Sequence, residues 1–205
     1  MQQGQLYIIA APSGAGKTSL IRAFLQAETG IALSISHTTR PKRPGEVDGV
    51  DYHFVTPDVF QAQVAAGDFL EHAQVFGNFY GTSQSAVTQQ LATGQDVILE
   101  IDWQGAQQVR RLMPQCIGIF IVPPTRAALL TRLQQRNQDS AAVIEGRMQA
   151  ARDEMMHYPE FDYLIVNEVF ATALADLQAI VRGQRLTLMR QQGVLQALLN
   201  DLLAE

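Results

Sequence analysis

The chain has 205 residues, 47% of them hydrophobic and 17% charged, with a mean hydropathy of −0.01. That is the profile of a globular α/β-sized domain with one sizeable core, and no apolar run is long enough to span a bilayer. A net charge of −5 argues against broad polyanion binding, so neither nucleic acid nor a membrane is an expected partner.

The first apolar run, Leu6–Pro12, lacks a basic segment before it and is too short for a secretory leader. Cys116 stands alone in an apolar stretch, so it reads as a small buried hydrophobe in a reducing, cytoplasmic setting. The four histidines show no metal-ligand spacing, which speaks against zinc.

Leu6–Ala10 reads as a buried strand, followed by Ala11, Pro12, Ser13, Gly14, Ala15 and Gly16, then Lys17-Thr18 opening a helix to about Gln26. Strand, glycine turn, Lys-Thr and helix form a phosphate cradle, because backbone N–H groups and the helix dipole converge on one spot. Lys17 supplies a full charge for the β/γ-phosphates, and the Thr18 hydroxyl is a natural Mg²⁺ ligand. The first glycine of the motif is replaced by Ala11, which stands before Pro12. A residue before proline is extended, with negative φ, so glycine's freedom is not needed there. Background frequencies would give Gly-x-Gly-Lys-[Ser/Thr] by chance roughly a per cent of the time. Lys17 is also one of only two lysines, the other being Lys42.

Gly30 ends the first helix pattern, and Ile31–Ser36 reads as a second strand. Arg40, Lys42 and Arg43, interleaved with Pro41 and Pro44, then make a stiff basic loop that cannot be a central strand. Two guanidinium forks match a phosphate bidentately, and the Tyr52 hydroxyl follows close by; the plain alternative is a solvated linker. Thr56-Pro57-Asp58 starts a helix to about Ala66, stopped by Gly67. Phe69–Phe76 is strand-like and carries Glu71. Gly77–Ser83 reads as a turn offering the Tyr80 and Thr82 hydroxyls, followed by a helix to about Thr93.

Asp96–Ile101 is a further buried strand ending in Glu100-Ile101-Asp102. Alternation sets Glu100 and Asp102 on one face at the carboxyl end, where open parallel sheets bind ligands. Acids there can steady Mg²⁺, directly or through water; Asp102 can equally cap the Gly105–Met113 helix. Ile117–Val122 is a strand closed by Pro123-Pro124. Two helices follow, from Thr125 to about Gln135 and from Ala141 to about Met156. Arg132, Arg136 and Arg147 on them look like a lid over phosphates, the alternative being arginines paired with helix acids. Tyr163–Val166 is the last strand, and the remainder is helical with a break near Gly193.

With these residues placed, the chain resembles the guanylate kinases over about residues 5–185. The motifs that carry the resemblance are Ala11–Thr18, Ser36–Glu46 with Asp51-Tyr52, Phe69–Glu71 with Gly77–Thr82, Glu100–Gly105, and Arg132–Arg136. The resemblance implies a P-loop doubly wound parallel sheet. Its core is residues 4–36 and 89–205, with a GMP-binding insertion at 37–88 and a helical lid at about 132–147. The family-like domain covers 4–185, and 186–205 form a C-terminal helical extension. It implies transfer of the γ-phosphate of ATP to GMP, and to dGMP, with Mg²⁺ accompanying ATP.

Within that scheme Ala11–Thr18 bind ATP, Arg40, Arg43, Tyr52 and Tyr80 hold the GMP phosphate, and Ser36, Glu71 and Thr82 read guanine. Glu100 and Asp102 join them in binding GMP, and Lys17, Arg132, Arg136 and Arg147 act on the transferring phosphate. Two residues depart from the family's pattern: Asn137 replaces a glycine and Glu100 an aspartate. Two rival readings differ in residues. A non-catalytic, protein-binding module has no need of Lys17 or the lid arginines. A P-loop kinase for another small acceptor has no need of Glu71 with Ser36 and Thr82.

Overall fold

The computed structural model describes residues 3–75, 77–135 and 141–204. In chain order, β1 (Leu6–Ala10) leads into α1 (Lys17–Ala27) and β2 (Ile31–Leu33). Then come β3 (His37–Thr38), β4 (His53–Phe54), α2 (Pro57–Ala66), β5 (Phe69–Val75) and β6 (Asn78–Ser83). The chain continues through α3 (Gln84–Ala92), β7 (Asp96–Glu100), α4 (Trp103–Leu112), β8 (Ile117–Val122) and α5 (Arg126–Gln134). It ends with α6 (Ala141–Met155), β9 (Tyr163–Val166), α7 (Phe170–Arg185) and α8 (Leu188–Leu202).

Five strands form a parallel sheet in the order β2-β7-β1-β8-β9. Its central strands β1 and β8 are apolar, as is β7 between its terminal acids Asp96 and Glu100, because both faces are covered. Tyr7, Ile9, Ile98, Ile119 and Ile121 pack on one face against Leu20 and Phe24 of α1 and Leu177 and Val181 of α7. Leu6, Ile8, Val97 and Leu99 pack on the other against Val87, Leu91 and Val109 of α3 and α4. Ile8, Ile9, Ile98 and Ile119 have no exposed surface; burying each such side chain contributes roughly 1.5–3 kcal/mol.

A second, four-stranded sheet in the order β4-β3-β6-β5 is built from residues 37–83. Behind it Phe60 stacks on Phe69 and Phe79, with ring centroids 4.7 and 5.5 Å apart. Helix starts follow the capping residues: Thr56, Ser83, Asp102 and Thr125 each accept a backbone N–H of the first turn, a contact worth about 1 kcal/mol.

Three expectations change. The stretch read as a turn at 77–83 keeps only Gly77 as turn, since Asn78–Ser83 pairs antiparallel with β5. Phe79, Tyr80 and Thr82 favour extended backbone once a partner strand satisfies it. The second strand is shorter, ending at Leu33, because the chain leaves the sheet to begin β3. The C-terminal break falls at Leu186-Thr187, not Gly193, which lies inside α8 with open space around it. An exposed interior glycine costs a helix only about 1 kcal/mol, too little to end it. No residue of α8 is buried; Arg190 ties it to Asp96, which also holds Arg185 and the Gln5 amide.

Candidate active site

The cradle lies at the carboxyl end of β1. Gly14 and Gly16 take φ of 89° and 92°, in the left-handed region. A Cβ at Gly16 would also stand 2.5 Å from Asn167 Nδ2, so strain and space both demand glycine there. Gly16 makes no side-chain cap on α1, so the helix N-terminus keeps its donors for an anion. Behind the turn, the Ala15 carbonyl accepts from Asn167 Nδ2 at 2.7 Å and from Arg132 Nη1 at 3.4 Å. Lys17 Nζ donates to the Ile101 carbonyl at 3.1 Å, and Thr18 Oγ1 donates to Glu100 Oε1 at 2.5 Å.

A cleft of about 440 Å³ runs from this cradle to the second sheet. On the cradle side it is lined by Ala11–Gly14, Gly16–Ser19, Glu100 and Asp102, with Glu154 from α6. Ser36, Tyr52, Glu71 and Tyr80 line the opposite side. Glu71, on β5, is 4% exposed and accepts from Thr82 Oγ1 of β6 at 2.5 Å. Burial pushes its carboxyl up to about 7, with the Thr82 bond pulling the other way. Tyr52 and Tyr80 meet edge to face at 6.0 Å. Burial, then the Glu100 charge, raise the Tyr52 phenol, so this ring senses the acid across the cleft.

Not every expected residue lines the cleft. Ala15 is buried beneath the cradle, and Thr82 sits behind Glu71. The Arg40 guanidinium lies 5.4 Å from the Tyr52 ring centroid and pairs with Glu46 at 2.7 Å. That hydrogen bond raises Arg40 further above its ordinary value and lowers Glu46. Arg43 is exposed, its backbone N–H donating to Glu46. Arg132 spends its fork on the carbonyls of Ala15 and Asn167, the latter at 2.7 Å. Arg147 is half-buried on α6. Arg136 and Asn137 lie outside the described residues. Asp102 does cap α4, accepting from the Gly105 amide at 2.8 Å, so Glu100 is the acid on Thr18. The described residues hold no group of three or more His, Cys, Asp or Glu side chains suited to a metal ion.

The guanylate kinase family model matches residues 3–184. A guanylate kinase of Alkalilimnicola ehrlichii is 60% identical over 200 residues, covering 98% of both chains. The chain belongs to the guanylate kinase family. One of Methylococcus capsulatus is 58% identical over 203 residues, covering 99% of this chain and 100% of that one. Among solved structures, the guanylate kinase from Anaplasma phagocytophilum superposes with a TM-score of 0.76 at 30% identity, covering 96% of each chain.

Within this guanylate kinase fold four residues escape sequence reading. Glu154 Oε2 accepts the Ser13 amide of the cradle at 3.1 Å. Asn167 buttresses Ala15 from the end of β9, and Glu46 occupies Arg40. Gly105 passes so close to Glu71 that a Cβ there would stand 2.8 Å from Oε2. Only Glu46, inside the basic Pro-Gly loop, and Gly105, a glycine in a helix start, carried any local signal.

Proposed function

We infer that the chain transfers the γ-phosphate of ATP to GMP, giving GDP and ADP, with dGMP as a second acceptor. The observation that carries the base specificity is Glu71: a buried carboxylate, bonded by Thr82, facing the cleft that also holds the cradle. Guanine presents two adjacent donors, N1–H and the 2-amino group, and one carboxylate accepts both. Adenine would turn a lone pair toward it. Ser36 and Thr82 complete the base-reading set, Thr82 by holding Glu71 from behind, and dGMP presents the same base edge.

Residues 4–36 and 89–205 serve as the core, 37–88 as the GMP-binding part and about 132–147 as the lid, with 4–185 the kinase domain and 186–205 a helical extension. Arg40, Arg43, Tyr52 and Tyr80 receive the acceptor phosphate, and Arg40 exchanges Glu46 for it. A phosphate oxygen of GMP is already an anionic nucleophile, so no general base is required. The obstacle is repulsion between two polyphosphates; Lys17 and the arginines Arg132, Arg136 and Arg147 counter it by position and charge. Closing the cleft around the acceptor excludes water and limits hydrolysis of ATP.

Mg²⁺ fits the donor set: Thr18 and Glu100 supply two hard oxygens already in contact, and Asp102 lines the same cleft. When bound, it neutralises charge on the β- and γ-phosphates. The negative net charge supports small nucleotides over nucleic acid, and the lone free Cys116 suits the cytoplasm. No helix among the described residues is long and apolar enough to cross a membrane. A coupled assay of ADP release with ATP and a panel of nucleoside monophosphates is the test. GMP and dGMP should turn over, and equal rates with AMP would overturn the reading.

A further inference from the structure

Among the described residues, Glu154 is the one cleft-lining acid with no part in the phosphoryl transfer proposed for this site, and its contact is with the cradle. From the far end of α6 its Oε2 accepts the Ser13 amide at 3.1 Å, across 141 residues of sequence. The helix also rests on α5 through a small apolar cluster in which Ile144, Met148, Ala151 and Met155 meet Leu129 and Leu133. Those positions follow the i, i+4, i+7, i+11 spacing of a single stripe. A stripe of aliphatic contacts permits sliding and some rotation about the helix axis, because such contacts are non-directional. A hydrogen bond to a backbone amide does not.

Arg147 stands seven residues, two helical turns, before Glu154, so the two share a face of α6 beside the apolar stripe. Fixing Glu154 therefore fixes the direction in which that face points. The carboxyl is half-buried; partial burial raises it, while the Ser13 amide and the Lys17 charge favour its ionised form.

Resting on the GMP kinase reading, we propose that Glu154 is a positioning residue. It docks α6 on the Ser13 amide of the cradle and so aims the Arg147 face of the lid at the bound ATP. The bond needs an acceptor oxygen and not a charge. Glutamine should replace it and alanine should not.

The test compares Glu154→Gln and Glu154→Ala in the full chain. Steady-state kinetics in both substrates is combined with hydrogen exchange of α6 in the nucleotide-free protein. Glu154→Ala should lower kcat by roughly ten- to a hundredfold, the effect of a misplaced catalytic group. Its KM for GMP should stay within twofold of wild type, and α6 exchange should quicken. Glu154→Gln should keep kcat and exchange close to wild type. A normal kcat in the alanine variant overturns the proposal, as does a glutamine variant as defective as alanine. Tighter ATP binding by Glu154→Ala at unchanged kcat also overturns it, showing a carboxylate that merely competes with phosphate. Should Glu154→Ala fail to fold, the glutamine variant and its exchange decide alone, and loss of α6 protection there overturns the proposal. Exchange needs no turnover. A wild type inactive toward GMP would refute the kinase reading, while the exchange comparison would still decide the docking.

Discussion

Thr82 Oγ1 donates to Glu71 Oε1 at 2.5 Å, and the carboxyl that receives it is 4% exposed and pushed up to about 7. The ordinary value is 4.5. Between the two, the folded protein holds a proton that the unfolded chain has lost. Stability of the nucleotide-free protein should therefore fall, on this group's account, as pH rises from about 4.5 to about 7. Guanine wants the ionised form, so GMP affinity should move oppositely and tighten as pH rises through about 7. Calorimetric titration of GMP at stepped pH checks it, with Glu71→Gln as the control. The phosphate of GMP titrates too, so equal pH slopes in wild type and variant would refute titration of Glu71.

Selectivity rests on the same carboxylate. Each hydrogen bond to a charged group is worth roughly 1.5–3 kcal/mol, and a buried carboxylate left unpaired costs more. GMP should exceed AMP by roughly 10³-fold or more in kcat/KM. Glu71→Gln should lose most GMP activity and narrow that ratio, since an amide mismatches one of guanine's donors. A folded variant with the wild-type ratio would show that Glu71 does not read the base.

Lys17→Ala should keep the fold and lower kcat by roughly 10²-fold or more, the scale of one lost electrostatic stabiliser. The lysine's only described protein bond is to the Ile101 carbonyl at 3.1 Å, so the fold depends little on it. Circular dichroism and single-turnover rates together make the measurement, and a folded variant with normal kcat would refute the mechanism.

Arg43 is exposed in a loop and should be dispensable for stability. Arg43→Ala should weaken GMP binding more than ATP binding, because its partner is the acceptor phosphate. Separate titrations of the two nucleotides decide this; an equal loss for both would place Arg43 elsewhere.

Gly105→Ala would set a Cβ 2.8 Å from Glu71 Oε2 while giving α4 a better helix former. Stability should hardly change, yet KM for GMP should rise by roughly tenfold as the carboxylate is displaced. An unchanged KM for GMP would mean that Glu71 can shift without consequence.

The chain by itself determined the strand–turn–helix of the cradle, because each cause lies within a few residues. An apolar, partly β-branched run makes β1, and glycines supply the left-handed turn. Polar caps at Thr56, Asp102 and Thr125 likewise start their helices where the sequence places them. Alternation brought Glu100 and Asp102 to the same end of β7, where both line the cleft. What local chemistry left open was settled by partners far away. Asn78–Ser83 is a strand only because β5 and β3 lie beside it to take its hydrogen bonds. Glu154 reaches Ser13 across 141 residues and Asn167 reaches Ala15 across 152, and neither carries a mark in its neighbourhood. Glutamate on a helix is ordinary; its meaning came from the backbone amide that packing of α6 on α5 brought within 3.1 Å.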